Sequence, residues 1–478
     1  MSIGQITTAK PTPVITPLEN LSGQHEDIIT VTWDGPLDGN NPLNWSNSWK
    51  WINVLLVSVQ GTLSPIFSTV LALGSEDVAL AFGLHDPYTP ALPIALYVLG
   101  LGIGPLFLAP LSELHGRRIV YLSCFTIFTV LNVGCALAPN IAALSTLRLL
   151  SGMAGSAGPS LGGSSISDMF SREHRGKAQA LYSFGPTCGP IIGGVMGATV
   201  CFCMLLQRET YGPFLLRQKM KQLKKKNPNI SYRIDFDVQP RDLFVRSLTR
   251  PMRLLFRAPI CTFMSLYLAL IYAILYLHLI TITFLFDSRR FYGLFSYGWT
   301  HGTTVLAYLG AGTGSILGTI ICAKFLNRSY RYAAARHEER TGTAASMPEF
   351  RLPFLQVGMM IVPIGLVIFG WSAEKETHWV VPLLGACIFG LGMLMGYVCI
   401  QKYLVDAFEE YAASALAAAI VTRCVISCVF TVVGFQLYRR LGYAWGTMLL
   451  AFICIAMTPI PFVLQHYGPQ LRSKKFDF

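Results

Sequence analysis

Charge divides this sequence. Its ionised residues bound long stretches without a single Asp, Glu, Lys or Arg, at 51–75, 87–112, 119–147, 149–167 and 178–207, then at 258–286, 291–323, 352–373, 377–401 and 441–471. One more stretch, 411–438, is interrupted only by Arg423. About 20 apolar residues in a helix span a bilayer, whereas an ionised side chain at its centre costs about 3 kcal/mol or more. Such a pattern leaves one architecture, an all-α polytopic membrane protein, because backbone polar groups in lipid must be satisfied within a helix or a closed barrel. Composition agrees: 13% of the 478 residues are charged and 53% hydrophobic, with mean hydropathy +0.49, against about 25% charge in soluble domains. A soluble enzyme is excluded. An integral membrane enzyme would need clustered His or carboxylates, and no two of the nine histidines lie within four residues of each other.

The net charge of +12 does not point to nucleic acid. Arg208 to Arg257 holds 13 basic and 4 acidic residues, nine of the twelve net charges, and reads as a cytoplasmic loop under the positive-inside rule. All 12 cysteines fall in apolar stretches without CxxC or Cys/His ligand spacing, so they read as packing residues rather than disulfides or a metal site. The polar start lacks the short apolar core of a cleavable signal and reads as a partly disordered cytoplasmic tail. The expected organisation is a tail at 1–49, an N-terminal bundle of about five spans at 50–207, the basic cytoplasmic loop at 208–257, a C-terminal bundle of six spans at 258–466 and a cytoplasmic tail at 467–478.

Loop charges assign sides. Glu76, Asp77 and Asp86 place the first loop outside; Arg117 with Arg118, and Arg172, Arg175 and Lys177, place the second and fourth inside. The second half follows with Lys324–Arg351 inside and Glu374-Lys375-Glu376 outside. The parity fails in between. Window 178–207 starts inside and should carry the chain out, yet the most basic segment follows. Two spans with a turn need over about 40 residues, and this window is too short for them. One span of the N-terminal half is expected to be missing, giving 11 candidates rather than 12.

Several motifs converge on one family. The loop Ala109-Pro-Leu-Ser-Glu113-Leu-His-Gly116-Arg117-Arg118 joins a glycine turn to a carboxylate and two guanidinium groups, a set able to latch helix ends together. Arg148, in Leu147-Arg148-Leu-Leu-Ser-Gly152-Met-Ala-Gly155, is the one charged residue between Arg118 and Asp168, and a guanidinium in a span is functional by default. Gly185-Pro186-Thr-Cys-Gly189-Pro190-Ile-Ile-Gly193-Gly194 combines glycines spaced for close helix approach with two prolines that bend the helix. Together these resemble the loop signature, the fourth-span arginine and the antiporter motif of the major facilitator superfamily, in its fungal drug:proton antiporter branch. Asn44-Trp45-Ser46, Asp168-Met169-Phe170, Glu209-Thr210-Tyr211, Tyr403-Leu-Val-Asp406 and Tyr411-Ala-Ala-Ser-Ala415 stand where that branch usually has them. Ala109 and Leu114 depart from the loop pattern. Only the short stretch 195–208 lies between Gly194 and Glu209, where the branch has an external turn and its sixth span.

The resemblance implies a major facilitator fold of two helical bundles and export of amphipathic small molecules (drugs, toxins or fungal secondary metabolites) by proton antiport and alternating access. It implies no cofactor beyond the proton gradient, and a monomer in the plasma membrane with both termini cytoplasmic. The alternative is a transport-impaired splice form, gene-model error or decayed paralogue. Arg148, associated in the family with proton coupling, is joined by Glu113 and Asp406 at span ends and by His278, the one histidine near mid-span, as coupling candidates. Tyr272 and Tyr276, four apart on one helix face, with Gln401 and Arg423, are the candidate substrate-cavity residues.

Overall fold

A computed structural model describes residues 28–35, 38–84, 89–170, 178, 182, 209–226, 231–233, 240–287, 294–341, 347–408 and 411–473. The first half holds α1 (Asn47–Leu73), the short α2 (Ser75–Ala81), α3 (Leu92–His115), α4 (Arg117–Ala136), α5 (Ile141–Gly155) and α6 (Ala157–Met169). Then come α7 (Gly212–Lys226) and α8 (Pro240–Arg257), followed by α9 (Pro259–Phe286), α10 (His301–Thr341), α11 (Leu352–Glu374), α12 (Val380–Phe408), α13 (Ala412–Met457) and α14 (Pro459–Ser473). Among the described residues eight helical segments are long and apolar enough to cross a membrane. Helix α1 and the α5–α6 pair pack into the same first bundle. The chain is an integral multi-pass membrane protein.

The structure moves one boundary. A charge-free criterion splits 119–147 from 149–167 at Arg148, but the chain turns at Leu137–Asn140 instead, where the Asn140 side chain accepts the Ala143 amide at 2.8 Å and starts α5. Arg148 thus lies inside a span, and α5 and α6 follow one another directly through Ser156. The criterion fails there because this guanidinium is held inside the bundle, by the Phe67 carbonyl that accepts from Nη1 and by the Tyr97 ring beside it.

Two segments expected as loops are helical over much of their length. Helix α10 continues past Lys324 to Thr341, and the basic 208–257 stretch contains α7 and the amphipathic α8. Among the described residues the all-α fold has one small exception: β1 (Ile28–Thr30) and β2 (Ser231–Arg233) form a parallel two-stranded ladder. Beside it Val31 and Trp33 pack on Leu216, Met220 and Leu223 of α7, and Lys219 Nζ sits 2.6 Å from Asp34 Oδ1. Part of the N-terminal tail is therefore docked. The fifth-span motif from Gly185 to Gly194 lies outside the described residues, as does the rest of the stretch 178–207 in which the parity fails, apart from Ala178 and Tyr182.

Each half has its own core. In the first, Val57, Tyr97, Tyr121, Phe125, Leu161 and Ile166 are buried together; in the second, Tyr267, Ile271, Leu366, Phe369, Phe389 and Tyr403. The halves meet where α3 lies against α13, so close that a Cβ on Gly102 would stand 2.5 Å from that of Cys424. They meet again where the Tyr276 hydroxyl of α9 donates to Ser68 Oγ of α1 at 3.4 Å.

Candidate functional site: a cavity between two bundles

The seam does not close completely. It leaves a cavity of about 340 Å³ whose wall is drawn from both halves: Ser68, Pro105 and Ser164 on one side, Tyr276, Tyr397 and Gln401 on the other. Tyr272, Arg423, Glu113 and Arg117 also line it. The Tyr272 and Tyr276 pair, Gln401 and Arg423 come from three separate helices, yet they meet on this one surface because α9, α12 and α13 pack side by side. Tyr397 and Tyr308 line it too, and were not singled out from the sequence. For Tyr397 a signal existed: it sits four residues before Gln401, on the same helix face.

Arg423 is held by rings. Its guanidinium carbon lies 4.3 Å from the Tyr272 ring centre and 6.0 Å from that of Tyr397, while Nε and Nη1 are shielded from solvent and find no hydrogen-bond partner among the described residues. Arg148 is placed differently, away from the cavity wall. Its Nη1 donates to the Phe67 carbonyl of α1 at 2.9 Å, and its guanidinium lies 5.6 Å from the centre of the Tyr97 ring.

The end of the first bundle carries a dense polar knot. Gly116, at φ 86°, makes the reversal between α3 and α4 in backbone space open to glycine. Arg117 then donates from Nε to Asp168 Oδ2 at 2.5 Å, and the Tyr211 ring lies 4.9 Å from its guanidinium. Burial pushes the Tyr211 hydroxyl up to about 12, the Glu113 carboxylate adding to it, so the ring stacks as a neutral phenol. The carboxylate that meets the helix-terminal amides is not Glu113. Glu209 accepts the Arg117 amide at 2.9 Å and the Arg118 amide at 3.0 Å, capping α4, while the Arg118 residue is exposed. Glu113 instead faces the cavity.

The second half repeats the pattern. Arg351 Nε donates to Asp406 Oδ2 at 2.6 Å, with the Tyr330 ring 4.9 Å from its guanidinium. Asp406 is thus an ion-pair partner at a helix end. His278 lies off the cavity, its ring 4.4 Å from Phe369 and 4.7 Å from Phe389, and neither nitrogen has a partner among the described residues.

Two helical bundles packed about a central cavity, each bracing one end with an arginine–aspartate pair, are the architecture of a polytopic membrane transporter. The chain belongs to the Major Facilitator Superfamily, whose pattern it matches over residues 51–431. It is 35% identical to Efflux pump radE of Floropilus chiversii, over 98% of this chain and 89% of that one. It is 36% identical to MFS-type transporter penM of Penicillium rubens, over 95% and 91%. With MFS-type transporter atr4 of Stereocaulon alpinum it shares 39%, over 94% and 83%. Its fold is similar to that of the proton:xylose symporter XylE, with a TM-score of 0.60 at 14% identity, covering 88% of this chain and 97% of that one.

Proposed function

We propose that the chain exports amphipathic small molecules, such as toxins or fungal secondary metabolites, by alternating access in exchange for protons. The cavity carries this reading: it lies between two bundles that can rock about it, and its wall is apolar with a few aromatic and polar groups, as a site of broad range requires. A relative named as an efflux pump, and others named as transporters in fungi, support the direction of transport. In this reading Glu113 on the cavity wall is the titrating group and Arg148 sets the charge balance of the first bundle; Asp406 and His278 are secondary candidates for coupling. The Arg117 and Arg351 end faces the cytoplasm together with both termini, and the plasma membrane is the site of action. The monomer works without a cofactor, drawing on the proton gradient. The test is efflux of an amphipathic dye from yeast lacking its own pumps. Dye loss that a protonophore abolishes is the expected result; no efflux from a chain present at the surface, or protonophore-insensitive efflux, overturns the proposal.

A second reading, of an impaired splice form, gene-model error or decayed copy, is favoured by the shortness of the stretch 195–208 between Gly194 and Glu209. Sequencing the transcript across these codons separates the two. Labelling of Lys225→Cys from the cytoplasmic side alone would place the basic segment inside; labelling from outside would invert the second half. Under this reading the unmodified chain exports weakly and recovers when a turn and a span are inserted after Gly197.

A further inference from the structure

Among the described residues Arg423 has no carboxylate partner. It sits about midway along the apolar first part of α13, eleven residues from the Ala412 end of the helix, so about 17 Å of helix separates it from that end. Carboxylates are absent from the sequence of α1, α9 and α13, and from α12 before Asp406, which is held by Arg351. The first bundle offers the cavity Glu113, near the end of α3, while Asp168 is taken up by Arg117. The stretch 178–207, whose structure is outside the described residues but for Ala178 and Tyr182, contains no Asp or Glu at all. What Arg423 does have is two tyrosine ring faces, and two N–H groups without acceptors among the described residues.

A guanidinium cannot shed its proton, and ring faces compensate its charge only in part. A half-buried cation with shielded, unpartnered N–H groups is an unfavourable arrangement that an anion in hydrogen-bond reach would relieve. The cavity gives such an anion both of its requirements. A planar carboxylate matches the fork of the guanidinium, and apolar side chains such as Leu275, Met393, Leu416 and Ile420 receive the rest of the molecule. Selectivity follows: a neutral analogue of the same shape fills the apolar wall but leaves the charge uncompensated.

We propose that Arg423 is the anchoring residue of an anion subsite, and that the preferred cargo is an amphipathic organic acid, bound with its carboxylate on Arg423 between Tyr272 and Tyr397. This rests on the cavity being the substrate site, and the experiment separates the two claims. The full chain, purified in detergent, is titrated with naphthalene-2-carboxylate and with the neutral, near-isosteric naphthalene-2-carboxamide, binding being followed by quenching of protein fluorescence. The expected result is carboxylate binding at least tenfold tighter than amide binding. Arg423→Gln should lose at least tenfold for the carboxylate and with it the preference over the amide, an unchanged thermal melt in the same detergent showing that the variant is folded. Arg423→Lys should recover part of the loss, because a point charge replaces the fork incompletely. Equal affinities in the unmodified chain, or an undiminished carboxylate preference in Arg423→Gln, overturn the anion subsite and leave the cavity assignment standing. Absence of binding by either compound overturns both.

Discussion

Each half of the molecule carries one arginine inside its bundle and one in an ion pair at a helix end, and the two halves use them differently. In the first half the inner arginine, Arg148, is tied to the Phe67 carbonyl and stands off the cavity, while the pair at the end, Arg117 with Asp168, is well enclosed at 6% and 17% side-chain exposure. In the second half the inner arginine, Arg423, is on the cavity wall, and the pair Arg351 with Asp406 is looser, at 14% and 33%. The enclosed pair is also reinforced by Glu209, which caps the helix beginning at Arg117. The inner arginine is thus anchored to backbone in the first bundle and borders the cavity in the second. Burial decides this, because a paired charge in a dry site resists separation and an unpaired one in a cavity attracts a partner.

The largest effect should come from the inner arginines. Arg148→Ala should abolish efflux of every substrate while leaving membrane insertion intact, since removing a costly charge from a span does not hinder insertion. Arg148→Lys should recover little, because an ammonium replaces the guanidinium fork poorly. Efflux from a pump-deleted host, normalised to surface protein, is the measurement; full efflux by the Ala variant would end the distinction between Arg148 and ordinary packing residues.

Next come the ion pairs. Asp168→Asn leaves Arg117 buried without its carboxylate and should destabilise the protein by about 3 kcal/mol. Asp406→Asn, where solvent already screens the pair, should cost no more than about 1 kcal/mol. Thermal melts of the purified variants decide it, and equal shifts would show that the two pairs are energetically alike.

A smaller effect tests a device the halves share. After Gly116 the carboxylate of Glu209 caps α4, and after Gly442, at φ 71°, the carboxylate of Glu374 accepts the Tyr443 and Ala444 amides at 2.9 and 3.2 Å. Glu209→Gln and Glu374→Gln should each lower stability by about 1 kcal/mol, the scale of a helix cap with a charge on its dipole. A much larger loss at Glu209 alone would mean that it also maintains the Arg117 pair.

The smallest expected effect is none. The sequons at Asn20, Asn44, Asn229 and Asn327 all fall in segments assigned to the cytoplasm, so endoglycosidase treatment should leave electrophoretic mobility unchanged. A shift would place at least one of these segments on the other side and reverse the orientation of its half.

Legibility differed with the range of the interaction. Membrane spans were readable because the hydrophobic requirement is met residue by residue along one helix, whatever its neighbours are. Tyr272 and Tyr276 could be placed on one face for the same reason, since helical periodicity is local. The pairing of Arg351 with Asp406, 55 residues apart, and the capping of Arg117 by Glu209, 92 residues away, left no local trace. Arg148 lies between these cases: the sequence marks it as a guanidinium within a span, but its acceptor, the Phe67 carbonyl 81 residues away, is visible only in the structure.

The sequence by itself determined that this chain lies in a bilayer and which family it resembles, because lipid enforces apolarity and internal hydrogen bonding on every spanning residue. Tertiary structure alone decided which charges are spent on one another and which face the cavity. That choice depends on distances between helices far apart in sequence, and those distances set whether a guanidinium meets a carboxylate, a carbonyl or an open space between two tyrosine rings.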